Sequence, residues 1–155
     1  MKQSFLTNNK MEDQTYDTTP KFTLNNRKFN AKVLDIYDAD TITVCIFLEG
    51  FNYVKLNVRL YGIDTPELRG DEKTKGIEAR NYLIKLLTNI IIDKDTYTRN
   101  DIREMINIDT YMVEVLFGDF DKYGRPLGTI YKDGVNINQL LVTDGYAKEY
   151  FGGTK

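Results

Sequence analysis

Val58 to Leu68 read VRLYGIDTPEL, and the fold turns on this stretch. It opens as a strand: Val58, Leu60 and, past the tight Tyr61-Gly62, Ile63 are apolar, with Arg59 on the opposite face. It closes by breaking. Asp64-Thr65-Pro66 is turn chemistry, because proline removes a donor and drives Thr65 out of helical space. Arg59, Asp64 and Glu67 therefore leave one strand end within a few residues of each other. A cation and two carboxylates at one spot serve a core poorly. They suit a site that handles a phosphate and a metal.

Toward the N-terminus the same strand extends back to Asn52, giving a third strand over Asn52 to Ile63. Glu49-Gly50 turns the chain, and Thr41 to Leu48 alternates, with Ile42, Val44, Ile46 and Leu48 on one side and Thr41, Thr43, Cys45 and Phe47 on the other. Ala31 to Tyr37 is a first strand, stopped by Asp38-Ala39-Asp40. Three strands joined by short turns form a meander, whose edges must close or be covered. Met1 to about Asn30 is polar and unpatterned and predicts a flexible arm preceding a single domain over 31–155, with Phe22 and Leu24 tacking its end to the body.

Toward the C-terminus a charged loop, Leu68 to Lys75, leads to a helix over Gly76 to Thr88, whose apolar stripe is Ile77, Tyr82 or Leu83, Leu86 and Leu87. Ile90 to Asp93 and Thr110 to Phe117 are strand candidates, with one or two helical turns between them around Asn100 to Ile106. Arg125 to Lys132 predicts a last strand, since Pro126 is tolerated at a strand start. Asp133-Gly134 turns the chain into a helix over Val135 to Asp144, with Ile137, Leu140 and Leu141 inward and Gly145 as its stop. Tyr146 to Lys155 trails off.

Composition narrows the chemistry. At 155 residues and 41% hydrophobic the chain supports one core. No apolar run approaches the roughly 18 residues that cross a bilayer. The opening MKQSFLTNNKMEDQ lacks an apolar core, so no signal peptide is expected and an intracellular setting, cytoplasmic or in a virus-infected host cell, is favoured. The lone Cys45 has no disulfide partner in the chain and reads as a small strand hydrophobe. Histidine is absent, which removes Ser-His-Asp and Cys-His catalysis and His-based zinc sites. Acid–base work falls to carboxylates, Lys, Tyr or metal-bound water. With 21 basic and 23 acidic residues, a nucleic acid would be held by a local cleft rather than by overall charge.

R-x-x-x-x-D-T-P-E at Arg59 to Glu67, preceded by Asp38-Ala39-Asp40-Thr41 and followed by Asp121-Lys122-Tyr123-Gly124-Arg125, resembles the staphylococcal nuclease (thermonuclease) family. Three blocks stand in the family's order, across about Ala31 to Phe151. The resemblance implies an α+β, mainly β fold: a five-stranded Greek-key barrel of the OB type with two or three helices. It implies a Ca2+-dependent phosphodiesterase, an endo/exonuclease acting on DNA and RNA with little sequence preference, favouring single strands and leaving 3′-phosphate ends. Asp40, Asp64 and the Thr65 carbonyl match the family's Ca2+ ligands, and Asp38 would orient the site through water. Ala39 stands where the family more often has Gly. Arg59 and Arg125 match its phosphate-binding arginines, which meet the charge of a pentacoordinate arrangement. Glu67 matches the residue cast as general base, or as the group that orients the attacking water. Lys122 and Tyr123 match substrate-facing positions, and Phe151 or Tyr150 a second aromatic one, while Leu60 and Tyr61 read as wall.

The chain also departs from the family. Lys94 to Asp109 reads as an insertion, because the family joins its helix to the next strand more directly. Secreted members run on into a further C-terminal helix, so the surface it would cover is expected to be taken by the arm, the insertion or a dimer partner. The alternative reading is a non-catalytic nuclease-like OB module that binds nucleic acid or protein.

Overall fold

The computed structural model describes residues 10–152; the first nine residues of the expected arm and the last three of the tail lie outside the described residues. The meander is β1 (Lys28–Asp38), β2 (Thr41–Leu48) and β3 (Asn52–Leu60). β1 starts three residues earlier than its apolar pattern suggests, because Lys28 to Lys32 pair with β5 (Met112–Phe120). β5 pairs in turn with β6 (Pro126–Lys132), and β6 runs parallel to the end of β3, matching Arg59 with Leu127 and Leu60 with Gly128. The order β3-β2-β1-β5-β6 thus returns to β3 and closes a five-stranded OB-type barrel.

The alternation in β2 is realised as expected, with Ile42, Val44 and Ile46 buried inside and Thr41, Thr43 and Cys45 only half-buried outside. β3 stops at Leu60, earlier than predicted. Tyr61-Gly62 turns the chain into β4 (Ile63–Asp64), which pairs with β8 (Lys148–Glu149). The tail therefore does not simply trail off; it is a strand edge against the turn that carries Asp64.

Three helices pack on the barrel: α1 (Lys73–Thr88), α2 (Arg99–Asn107) and α3 (Ile137–Thr143). α1 begins three residues before the predicted start and buries Ala79, Leu83, Ile84 and Leu87, rotating the stripe so that Ile77 and Leu86 are only half-buried. α2 lies in the expected insertion and is opened by a reciprocal cap: Thr98 Oγ1 accepts the Asp101 N–H at 3.1 Å and the Asp101 carboxylate accepts the Thr98 N–H at 2.8 Å. Its buried Ile102 and Ile106 close over the barrel. Ile90 to Asp93 is not a strand. The β1 edge beyond its pairing with β5 is taken by side chains of α2, with Asn107 donating to Leu34 O and Arg99 to Ile36 O, and Ile90 and Ile92 pack as plain side chains against the core. α3 starts at Ile137 rather than Val135, since Val135–Asn136 form a short strand, β7, on the β6 edge. Leu24 is 2% exposed, so the end of the arm is indeed anchored, with Phe22 meeting the Phe120 ring at 6.1 Å.

Candidate functional site

The site is built where the barrel closes. Arg59 leaves the outward face of β3 at its last turn, and its guanidinium is fixed by two backbone carbonyls, Nη1 donating to Leu60 O at 2.8 Å and Nη2 to Ile63 O at 3.0 Å. Those bonds use one hydrogen on each terminal nitrogen and leave Nε and one hydrogen on each for other partners. Nη2 also lies 3.5 Å from Asp40 Oδ2 and 3.8 Å from Asp64 Oδ1. Arg59 is thus the shared neighbour of both carboxylates, with side chains 13%, 13% and 17% exposed for Arg59, Asp40 and Asp64. A half-desolvated ion cluster of this kind is held in place far better than a surface pair.

Asp40 is held from three sides. Its Oδ2 accepts the Thr65 hydroxyl at 2.9 Å and the Thr65 N–H at 3.3 Å, and its Oδ1 faces the Thr41 hydroxyl at 3.3 Å. Asp38 Oδ1 accepts the Asp40 N–H at 3.1 Å and so shapes the β1–β2 turn. Burial, and then the negative charge of Asp40 beside it, push the Asp38 carboxyl up to about 7, although Arg59 pulls the other way. The pocket carries more negative charge than its own arginine balances.

Arg125 comes from the opposite wall. Asp121 organises its turn: the carboxylate accepts the N–H groups of Tyr123 at 2.9 Å and Arg125 at 2.8 Å, and takes Arg125 Nε on its other oxygen at 2.8 Å. Gly124, at φ +83°, provides the left-handed residue the turn needs. Arg125 Nη1 then reaches Thr41 Oγ1 at 3.5 Å, so one hydroxyl links the second arginine to Asp40. The motif alone shows no role for Asp121; the signal is its spacing to Arg125, i to i+4 across a Gly turn.

Arg59 and Arg125 both line a cleft of about 490 Å3, together with Tyr61, Lys122, Tyr123, Tyr150 and Phe151. Lys122 and Arg125 flank the exposed Tyr123 ring, at 5.2 and 5.7 Å from its centroid. Phe151 stands edge-on to Tyr61 at 5.7 Å, directly over Gly62, where a Cβ would meet the Phe151 ring at 2.8 Å. Both open alternatives for the second aromatic position, Tyr150 and Phe151, therefore reach the cleft. Behind it, the buried Asn138 donates to Tyr61 O at 2.9 Å and Gly128 O at 3.0 Å and accepts Ile130 N–H at 3.0 Å. Nothing in the sequence marked it, since an Asn near a helix start reads as a cap.

Glu67 is placed differently. It is exposed on the loop after Asp64, is not among the residues that line the cleft, and its N–H donates to Glu72 at 3.1 Å. The loop lies tight against α1: a Cβ at Gly76 would stand 2.2 Å from Glu67 O and 2.9 Å from Pro66 O. The structure therefore brings Arg59, Asp40, Asp64, Thr65 and Arg125 together, with Asp38 beneath, and holds Glu67 at the rim.

The family model of staphylococcal nuclease homologues matches residues 57–155. The chain belongs to the staphylococcal nuclease homologue family. The match takes in Arg59, Asp64, Thr65, Glu67 and Arg125, while Asp38 and Asp40 lie upstream of it and join the site through the fold. No curated protein matches the sequence. Staphylococcal nuclease homologues are nuclease-type hydrolases and generally depend on Ca2+. Among the described residues no three His, Cys, Asp or Glu side chains form a metal cage on their own. The donors that do converge, Asp40 and Asp64 beside Thr65, are all oxygen, the set a hard cation prefers over zinc or copper, and a cation would offset the charge that raises Asp38.

Proposed function

We propose that the chain is a Ca2+-dependent nuclease that hydrolyses phosphodiester bonds of DNA and RNA with little sequence preference and leaves 3′-phosphate ends. One observation carries the reading: Arg59 faces both Asp40 and Asp64 at the mouth of a cleft that Arg125 enters from the other side. In this proposal Asp40, Asp64 and the Thr65 carbonyl hold Ca2+, with Asp38 orienting the shell through water. When bound, the cation supplies Lewis-acid pull on a phosphoryl oxygen. Arg59 and Arg125 donate to the remaining phosphoryl oxygens, and their bonds strengthen as negative charge builds at phosphorus. Glu67 swings in from the rim to orient a water in line with the departing 5′ oxygen and to take its proton. Lys122 binds phosphate, and Tyr123 with Phe151 stacks on bases, a contact that every base can make. Single strands fit such a cleft better than a stacked duplex does.

A second reading has one specific support. Glu67 is exposed and does not line the cleft, as in a module that binds nucleic acid without cutting it. Cleavage of single-stranded DNA separates the two, measured with Ca2+, with EDTA, and with Glu67→Ala or Arg59→Ala. Calcium-dependent cutting to 3′-phosphate ends, lowered by roughly a hundredfold or more in the variants, is the expected result. Binding that persists in EDTA with no cutting selects the module. In a chain without histidine, activity is expected to keep rising above pH 7; a bell centred near pH 6.5 contradicts the carboxylate and metal-water reading.

A further inference from the structure

The outward face of β3 continues from Arg59 through Asn57, Lys55 and Tyr53 at a two-residue period, so all four share one side of the hairpin. Across the ladder Thr43 pairs with Asn57 and Phe47 with Tyr53. The run from Arg59 to Tyr53 is about 20 Å long at about 3.3 Å per residue, the span of several nucleotides. Along it stand a guanidinium, an amide, an ammonium and then two aromatic rings. Phe47 and Tyr53 are 55% and 73% exposed and meet edge-on at 5.4 Å, with nothing covering them among the described residues. Solvated rings on a strand tip cost free energy and gain nothing for the core.

The insertion helix α2 forms the facing bank. A groove of about 620 Å3 runs between the hairpin, at Thr43, Lys55 and Asn57, and α2, at Arg103, Glu104 and Asn107. The buried Asp35, on its floor, takes Arg99 at 2.7 Å and Arg103 at 3.1 Å on a single oxygen. In the groove lining Lys55 and Arg103 are matched by Asp35 and Glu104, and Arg99, which shares Asp35 from outside the lining, brings the group to one net positive charge. Arg103 remains 52% exposed and has donors to spare. Arg99 Nη1 also donates to Ile36 O at 3.2 Å, which fastens this bank to the strand that leads into Asp38 and Asp40.

Building on the nuclease reading, we infer that this face is a second substrate track, along which single-stranded nucleic acid runs from the cleavage cleft, phosphates against Lys55 and Arg103 and bases on Tyr53 and Phe47. Backbone cations interleaved with aromatic platforms are the means by which OB folds hold a strand without reading its sequence. The run of cation, amide, cation and rings along one strand face, continuous with Arg59, favours this occupant over a protein. The track gives the insertion its role: it is the bank that turns an open hairpin face into a channel.

The test uses the full chain with Ca2+ and two labelled substrates, a trinucleotide and a single strand of about 12 nucleotides, within the range one OB fold covers. Lys55→Glu and the double variant Phe47→Ala/Tyr53→Ala sit on exposed positions and leave Asp35 and its partners intact. Both are expected to raise KM for the long strand, the double variant by about tenfold or more, with kcat unchanged and trinucleotide cleavage unaffected. Lys55→Glu should also flatten the salt dependence of long-strand binding, read by fluorescence anisotropy in EDTA. If both variants handle the long strand as the parent does while the parent cuts both substrates, the track is wrong and the nuclease stands. A parent that binds the long strand in EDTA but cuts nothing loses the nuclease reading, and the anisotropy shift in the variants then decides the track. A parent that neither binds nor cuts overturns both. If the aromatic variants change only the sedimentation coefficient, the face joins copies of this chain, and the proposal falls.

Discussion

Arg125 lines the cleft and Glu67 stands outside its lining, and the fold treats the two loops that carry them in opposite ways. The Arg125 turn is tied by the Asp121 carboxylate to two N–H groups and to the guanidinium itself, and Asn138 fixes the wall behind it through three backbone groups. On the other loop Thr65 is bonded to Asp40, but past Pro66 Glu67 is held through its main chain, by the N–H bond to Glu72 and a steric seat on Gly76. Hydrogen-bonded networks hold a group in a single geometry, while a packed but weakly bonded loop moves as a unit. The difference teaches where preorganisation matters: the groups that would meet charge at phosphorus are fixed in advance, and the group that would position water is left free to approach.

That contrast can be broken at its strongest point first. Asn138→Ala leaves the buried Ile130 N–H without its acceptor and Tyr61 O without its side-chain donor, while Gly128 O keeps the Tyr61 N–H, and at about 1–3 kcal/mol for each unsatisfied group should cost roughly 2 kcal/mol or more of unfolding free energy, read as a lower urea midpoint. A variant as stable as the parent would mean that water replaces the side chain. Gly76→Ala acts on the other loop. Its Cβ would push on Glu67 O, and the helix is expected to hold at a cost of about 1–3 kcal/mol, while cleavage falls about tenfold or more and strand binding in EDTA stays near the parent's. Equal loss of binding and cleavage would show that the two loops are not independent.

The smallest effect sharpens the comparison through pH. Burial tends to raise the Asp121 carboxyl, but the N–H groups and guanidinium that bond it win, and it titrates below the ordinary carboxylate value. A depressed folded pKa contributes stability that is fully present above the unfolded value, about 3.9, and lost as pH falls through the folded one. Asp121→Asn should therefore lose stability by about 1 kcal/mol near neutrality and show a shallower acid slope in thermal melts. An unchanged slope would assign the acid sensitivity to other carboxylates.

How much of this was legible in the sequence follows from where the physical constraint lies. The alternation of β2 was readable because one face is dry, and the strand-end cluster of Arg59, Asp64 and Glu67 because a proline turn breaks the strand there; of the three, the structure brings Arg59 and Asp64 together. Leu24 was legible as an anchor because it and Phe22 are the apolar pair at the end of a polar arm, and of the two Leu24 is the one buried. Ile90 to Asp93 misled because its composition is that of a strand, while the open β1 edge is taken by Arg99 and Asn107 of α2. β4, β7 and β8 span two residues each, too short for any periodicity to register. Asn138 was invisible because its partners are main-chain groups, which every sequence has. The rim position of Glu67 depends on a missing Cβ at Gly76, a constraint expressed nine residues from the group it places.

The seam between β3 and β6 has a consequence in time as well as in space. It matches Arg59 with Leu127 and Leu60 with Gly128, positions 68 residues apart (127 minus 59), by two parallel pairs alone. Contacts of such long range bear the largest loop-closure cost, and local hairpins form ahead of them. The β1–β2–β3 meander can assemble while the chain is still emerging from the ribosome, but Arg125 and the seam cannot be set before β6 has followed. On the proposed reading, a half-made chain would hold both aspartates and one arginine and still be unable to grip a phosphate between two cations, so cutting would have to wait until β6 has closed the seam.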